Sequence, residues 1–362
     1  MTSPAPSYAA SYSAWKDTAE EVIEAVVKAS DTVLTQKEEE ATEVGRQIGF
    51  GILEKFLEKA RAVGWGAQTP EVRRLEVERI LGLPQVPQRT PEWYAQGKQV
   101  LTASEFATLY GSPRALRQLA FQKVAQPQTQ QTNRLACLTC EMGPFDWGVR
   151  FEPVVKLILA EKWGARIMDS GRIMHPTEPM LAASPDGFIV EATDSARIGR
   201  LLEIKCPISR EIGGAIPFEY WCQMQIQMEV TGIEECEYVE VKIDSISPKR
   251  TDLSGAAEGH VWLFQDLSSC RMLYAYTAAE KLDAETKGYD LIETIPWRLG
   301  DMYAKTVTRD RGWFRGTATM REDFWEIVGQ ARRAEIQPFE VKSKAKVLVT
   351  KEPECRIVDD VE

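Results

Sequence analysis

A chain of 362 residues, 44% of them hydrophobic, has the length of one large domain or two ordinary ones and enough apolar side chains for a packed core. It has no run of about 18 apolar residues, and its opening stretch, MTSPAPSYAASYSAWK, lacks a basic segment followed by an apolar one, so neither a membrane-spanning helix nor a secretory signal is expected. The net charge of −10 excludes a protein coated in basic surface, but not a local basic groove, because phosphate contacts need only a few placed Lys and Arg. Seven irregularly spaced cysteines do not suggest a disulfide framework, and a reducing intracellular compartment fits them better. Cys137 and Cys140 form an isolated CxxC, and His175 and His260 are the two histidines of the chain, so a zinc site is poorly supplied.

In chain order, residues 1–13 are small and polar and are expected to lack fixed structure. Residues 14–64 read as helices, from the spacing of Val22, Ile23, Val26 and Val27 and again of Ile52, Leu53, Phe56 and Leu57. A further helix runs from Pro70 to Leu81, with Thr69 as N-cap, Pro70 in the first turn and Gly82 at the exit. Pro84, Pro87 and Pro91 mark 83–91 as a linker. Thr102-Ala103-Ser104-Glu105 begins a short helix capped by Thr102 or Ser104. Residues 126–133, rich in Gln and Thr, read as a loop. A helix over about 149–163 carries the stripe Phe151, Val154, Val155, Ile158 and Leu159 and ends at Gly164.

The period then changes. Residues 187–192 and 201–206 read as strands of a long hairpin, separated by a polar loop with Asp194, Ser195 and Gly199. Residues 218–231 return to helix, closed by Gly232, and strands follow at 237–243 and 260–264. The C-terminal part reads as mostly helical, including 322–333, with a charged tail from about 341. No internal repeat is present.

The informative residues are Ser184-Pro185-Asp186-Gly187 and, after sixteen intervening residues, Glu203-Ile204-Lys205. Side chains alternate along a strand, so Leu201, Glu203 and Lys205 share one face and Leu202, Ile204 and Cys206 the other. If the hairpin pairs, Asp186 comes close to Glu203, and two converging carboxylates repel unless a cation joins them. An oxygen-only set without histidine suits Mg²⁺ or Mn²⁺ rather than Zn²⁺. Such an ion polarises a phosphate and activates water, and Lys205 is placed to orient that water or to meet developing negative charge. Glu152 offers a third carboxylate for a second ion or its water, and Gln223 and Gln227, four apart on one helix face, offer neutral groups suited to positioning water. Singly, each has an ordinary reading as a turn, a solvated strand face or a helix-end carboxylate. The ordered set of helix Glu, turn Asp, strand ExK and helix Gln fits one metal-hydrolysis site.

PD, sixteen residues and EIK resemble the PD-(D/E)XK nuclease signature. LTASE (101–105), WGVRFEP (147–153), SPDG (184–187), EIKCP (203–207) and YWCQMQIQMEVTG (220–232), in that order, resemble the YqaJ-like viral recombinase family of lambda-exonuclease type. The resemblance implies an α/β (α+β) fold with a restriction-endonuclease-like core, a mixed central β-sheet flanked by helices, at 89–290. Helical extensions would flank it at 1–88 and 291–362. It implies Mg²⁺-dependent 5′-to-3′ digestion of one strand of duplex DNA, with two ions, leaving 3′ overhangs for a single-strand annealing protein. It also implies a virus- or phage-encoded setting and a homo-oligomer, a trimer by analogy. Glu152, Asp186, Glu203, Lys205 and Gln223 would be the catalytic set, with Asp186, Glu203 and Glu152 as metal ligands. Ser104, Ser184 and Arg210 would contact the terminal 5′ phosphate, Arg210 lying one position off the family's arginine. The family's arginine upstream of TAS falls in Ala95-Gln96-Gly97-Lys98-Gln99, where Lys98 is the charged residue. An endonuclease of the same superfamily, and a catalytically silent DNA-binding scaffold, are the alternatives.

Overall fold

Residues 69–125, 143–245, 257–269 and 271–339 are described by the computed structural model. The expectations for 1–13, 14–64 and 126–133, the Cys137/Cys140 pair and the tail from 341 lie outside these residues.

The described chain opens with five elements: α1 (Pro70–Leu81), α2 (Pro91–Gly97), β1 (Leu101–Thr102), a 3₁₀ helix (Ala103–Tyr110) and α3 (Pro113–Val124). They are followed by α4 (Pro144–Trp163), β2 (Arg166–Met168), β3 (Ile173–Met174), β4 (Leu181–Ala183), β5 (Gly187–Glu191) and β6 (Leu201–Lys205). Then come α5 (Phe218–Thr231), β7 (Glu235–Asp244), β8 (Glu258–Asp266), β9 (Arg271–Ala275), α6 (Ala278–Thr286), β10 (Asp290–Thr308), α7 (Arg311–Gly316) and α8 (Ala318–Arg332).

Seven strands form one sheet in the order β2-β5-β6-β7-β10-β8-β9. It is mixed, since β6 and β7 run parallel while the other neighbours are antiparallel. A parallel pair needs a crossover, and α5 supplies it. A smaller sheet, β1-β4-β3, stands beside the large one, with β1 and β4 parallel. Strand alternation sorts the core into two layers. Leu201, Tyr238 and Phe188 pack with Met224 and Met228 of α5, Phe106 of the 3₁₀ helix and Phe324 of α8. Leu202, Ile204, Val239 and Val241 face Phe151, Val155 and Leu159 of α4 on the opposite side. The expected mixed central sheet flanked by helices is thus present. No helix among the described residues is long and apolar enough to cross a membrane.

Local signals set several boundaries. Thr69 caps α1, its hydroxyl accepting from Val72 N at 3.4 Å, and Gly82 follows the helix. Gly232 ends α5 in a left-handed conformation, φ 78°. Other expectations need correction. Helix α4 starts at Pro144, not near 149, because proline suits the first turn after Gly143; Glu152 therefore lies mid-helix, with Pro153 inside the helix rather than at its start. Pro91 likewise starts α2 under a Thr90 cap, and Val86 pairs with Arg172, so 83–91 is more than a linker. Helix α1 buries Val77 and Ile80 in the main core and does not stand apart from it.

The region after 290 is not wholly helical. Residues 290–308 form the long strand β10 between β7 and β8, so the expected domain boundary at 290 falls in the middle of the sheet. Register shifts at Leu291/Glu293 and Leu299/Met302, with Pro296 between them, break the strand period that a sequence reading would follow.

Gly199, in the β5–β6 connection, has φ 85°, and a Cβ there would collide with Arg73 of α1. Gly199→Ala should therefore destabilise the chain by about 1–3 kcal/mol or more, from the backbone strain alone. Urea denaturation checks this, an unchanged midpoint being the contrary result.

Candidate active site

The turn between β4 and β5 carries Asp186. Gly187 follows because a Cβ there would sit 2.7 Å from Ile167 Cγ2. Asp186 Oδ2 accepts a hydrogen bond from Ile204 N at 2.7 Å, fastening the turn to β6 beside Glu203. Glu203 is 0% exposed, on the sheet face beneath α5. Its Oε2 accepts from Gln227 Nε2 at 2.6 Å. Its Oε1 has no hydrogen bond but lies 2.5 Å from Lys205 Nζ, an ion contact outside hydrogen-bond geometry. Lys205 Nζ donates to Gln223 Oε1 at 3.2 Å and rests 4.6 Å from the centre of the Tyr220 ring. The two glutamines, one helical turn apart, thus divide their work: Gln227 holds the carboxylate and Gln223 the ammonium.

Glu152 reaches the site from α4. Its Oε1 accepts from Lys156 Nζ at 2.8 Å and its Oε2 from Arg89 at 3.3 Å; Lys156 also pairs with Asp169 at 2.8 Å. Arg89, Glu152, Asp186, Lys205 and Tyr220 line one cleft of about 360 Å³. Burial, then the charges of Glu203 and Glu152, push the Asp186 carboxyl well above the usual carboxylate range. Burial would lower the Lys205 ammonium, but Glu203 and Asp186 outweigh it and hold it above its ordinary value.

Asp186 and Glu203 form an oxygen-only donor pair with Glu152 across the cleft, chemistry suited to a hard divalent cation. Among the described residues no group of three His, Cys, Asp or Glu is drawn close enough to hold an ion as it stands. Lys156 and Arg89 pair with Glu152, and Lys205 with Glu203.

The residues expected at a 5′ phosphate are not all together. Thr102 of β1 pairs with Ala182 of β4, so Ser104 and Ser184 leave the same end of a parallel pair, each two residues on. Ser104 Oγ lies 3.3 Å from Thr102 Oγ1, and Ser184 Oγ accepts from Trp93 Nε1 at 3.2 Å. Arg210 instead grips Glu240 of β7 at 2.5 Å, where Tyr238 OH also donates to the carboxylate at 2.6 Å.

Residues 92–234 match the family model described as the YqaJ-like viral recombinase domain. This segment is thus similar to YqaJ-like domains. It opens in α2 and closes just after α5, and it contains Ser104, Glu152, Asp186, Glu203, Lys205, Arg210 and Gln223. An uncharacterized protein of Acanthamoeba polyphaga mimivirus is 26% identical over 185 residues, which are 48% of this chain but 32% of that protein. The chain therefore matches about a third of the length of this relative. Among solved structures, the alkaline exonuclease LHK-Exo from Laribacter hongkongensis overlaps with a TM-score of 0.41 at 18% identity, covering 68% of this chain and 96% of its own. A phage related exonuclease from Haemophilus somnus gives 0.32 at 13% identity, covering 65% and 92%.

Two contributors to the site escape the motif reading. Lys156 was available from its i+4 spacing to Glu152 on one helix. Arg89 reaches Glu152 across a sequence separation of 63 and carries no such signal. The Glu105 of LTASE accepts from Thr102 N at 2.9 Å and holds Lys123 Nζ at 2.6 Å, which explains the motif's acidic residue structurally.

Because burial and the neighbouring carboxylates raise the Asp186 carboxyl, the folded chain holds a proton there more tightly than the unfolded chain does. This group's contribution to stability is full below about pH 4 and is lost as pH rises towards the raised value. Asp186→Asn keeps an acceptor for Ile204 N and cannot ionise. In chelator it should melt higher than the parent, the gap widening from about pH 5 to about pH 8. A variant melting lower at both values would remove the repulsion from the account of the site.

Proposed function

We propose that the chain is a metal-dependent deoxyribonuclease, an exonuclease that hydrolyses phosphodiester bonds of duplex DNA from its ends. The observation that carries the reading is the convergence of Asp186 and Lys205 on one cleft, with Glu203 buried behind them and Glu152 opposite. Asp186, Glu203 and Glu152 would hold Mg²⁺ or Mn²⁺, as two ions when all three carboxylates engage. A bound divalent cation supplies positive charge against the scissile phosphate and activates water for attack. The chain's own residues do the rest. Gln227 fixes the rotamer of Glu203, and Lys205, 22% exposed and held by Glu203 and Gln223, presents its ammonium to the cleft to orient water or meet developing charge. Glu152 must exchange its two cations for the substrate-bound arrangement.

The finer reading rests on the resemblance of the motifs. Digestion runs 5′ to 3′, Ser104 and Ser184 receive the terminal 5′ phosphate, and the 3′ overhangs serve viral or phage-type recombination, repair or genome processing with a single-strand annealing partner. Arg210, engaged by Glu240, would join the phosphate only by leaving that pair. A homo-oligomeric ring is part of the same reading, as is a virus-encoded setting inside a host cell.

End-labelled linear duplex and closed circular duplex, each with Mg²⁺, test it together. The linear substrate should be digested from its ends and the circle left intact; a cut circle would assign the site to an endonuclease. Glu203→Gln and Asp186→Asn should abolish digestion. Lys205→Ala should keep Mg²⁺ binding by calorimetry yet lose about a hundredfold or more in rate. Collapse of Mg²⁺ affinity in that variant would make Lys205 a support of the ligands instead.

A 5′-phosphorylated end should be digested faster than a 5′-hydroxyl end, and Ser184→Ala should narrow the difference without stopping basal cleavage. Single-turnover rates on the two ends read this directly, and equal rates in the parent chain would mean that no such pocket operates.

A further inference from the structure

A second groove, of about 690 Å³, runs past Gln85, Gln88, Lys156 and Gly171 and meets the active-site cleft at Arg89 and Glu152, which line both. Arg89 stands at that junction with φ 64°, a left-handed backbone that non-glycine residues seldom adopt. Such a conformation persists only where the surroundings over-determine it. Here they do. Gln88 Nε2 donates to Ser170 O at 3.0 Å and to Pro185 O at 3.4 Å, Gly171 N donates to Gln85 Oε1 at 2.8 Å, and Arg172 N donates to Val86 O at 2.8 Å. The segment bearing Arg89 is thereby clamped to residues 170–172 and, through Gln88, to the turn that bears Asp186. The guanidinium itself is held far less firmly. It is 45% exposed and reaches Glu152 with one nitrogen at 3.3 Å, while Lys156 already pairs with the same carboxylate at 2.8 Å.

A strained, rigid backbone that delivers a loosely engaged fork of donors to the meeting point of two grooves has a physical use. We propose that Arg89 binds an internal phosphodiester of the DNA backbone as the strand passes from the second groove into the active-site cleft, exchanging Glu152 for the phosphate. A guanidinium offers two parallel charge-assisted hydrogen bonds to such a group. The exchange also releases one of the two cations that hold Glu152 away from its proposed role as a ligand. The inference rests on the nuclease reading above.

The test measures binding of a labelled linear duplex, over a series of salt concentrations, to the full chain carrying Asp186→Asn, alone and combined with Arg89→Gln or Arg89→Gly. Both combined variants should bind more weakly, with a log Kd against log salt slope shallower by about 1, and equally so on 5′-phosphate and 5′-hydroxyl ends. Arg89→Gln retains the backbone demand, whereas Arg89→Gly relieves it, so the two should melt differently while losing the same contact. Unchanged affinity and slope in both would overturn the proposal, as would a loss confined to 5′-phosphorylated ends, which would assign Arg89 to the terminal phosphate. Digestion of the same duplex by the parent chain with Mg²⁺ separates the two levels: digestion with a slope indifferent to Arg89 overturns this assignment alone, and a chain that neither binds nor digests overturns both.

Discussion

Parallel pairing of β6 with β7 cannot be closed by a tight turn, so the chain must leave the end of β6, cross one face of the sheet and return. The crossing segment is α5, and its path fixes the site. Glu203 and Lys205 point from β6 towards the face that α5 covers, because Leu202 and Ile204 on the alternate face pack against the α4 layer. The helix then sets Gln223 and Gln227 above the strand, one for the ammonium and one for the carboxylate. Antiparallel pairing of the same two strands would need no crossover and would leave Glu203 buried without its amide partner.

The second constraint is electrostatic. A fully buried glutamate beside a buried aspartate is unfavourable unless something offsets the repulsion. The chain does so with its own groups: Lys205 on Glu203, Lys156 and Arg89 on Glu152, and a backbone amide on Asp186.

Legibility followed the range of the interaction. Caps and stops are local, and Thr69, Gly82 and Gly232 stand where the helices they punctuate begin and end. The hairpin of β5 and β6 was readable because its period is short and its turn residues are distinctive. Proline misled at Pro91, read as a linker residue where it starts a helix, since the same ring that breaks an interior suits a first turn. β10 was not readable at all: Pro296 and two register shifts disrupt its alternation, and it is a strand because β7 and β8 pair with it on either side.

By itself, then, the sequence determined the order in which Glu152, Asp186, Glu203, Lys205 and Gln223 occur and the strand or helix character of the segments around them, because residue type and strand or helix period are properties of short segments. Tertiary structure alone decided that Gln227 holds Glu203, that Arg210 is spent on Glu240, and that Arg89 stands at the junction of two grooves. These are contacts between segments distant in the chain, fixed by which strands pair and which loops are clamped, and no local pattern of side chains encodes them.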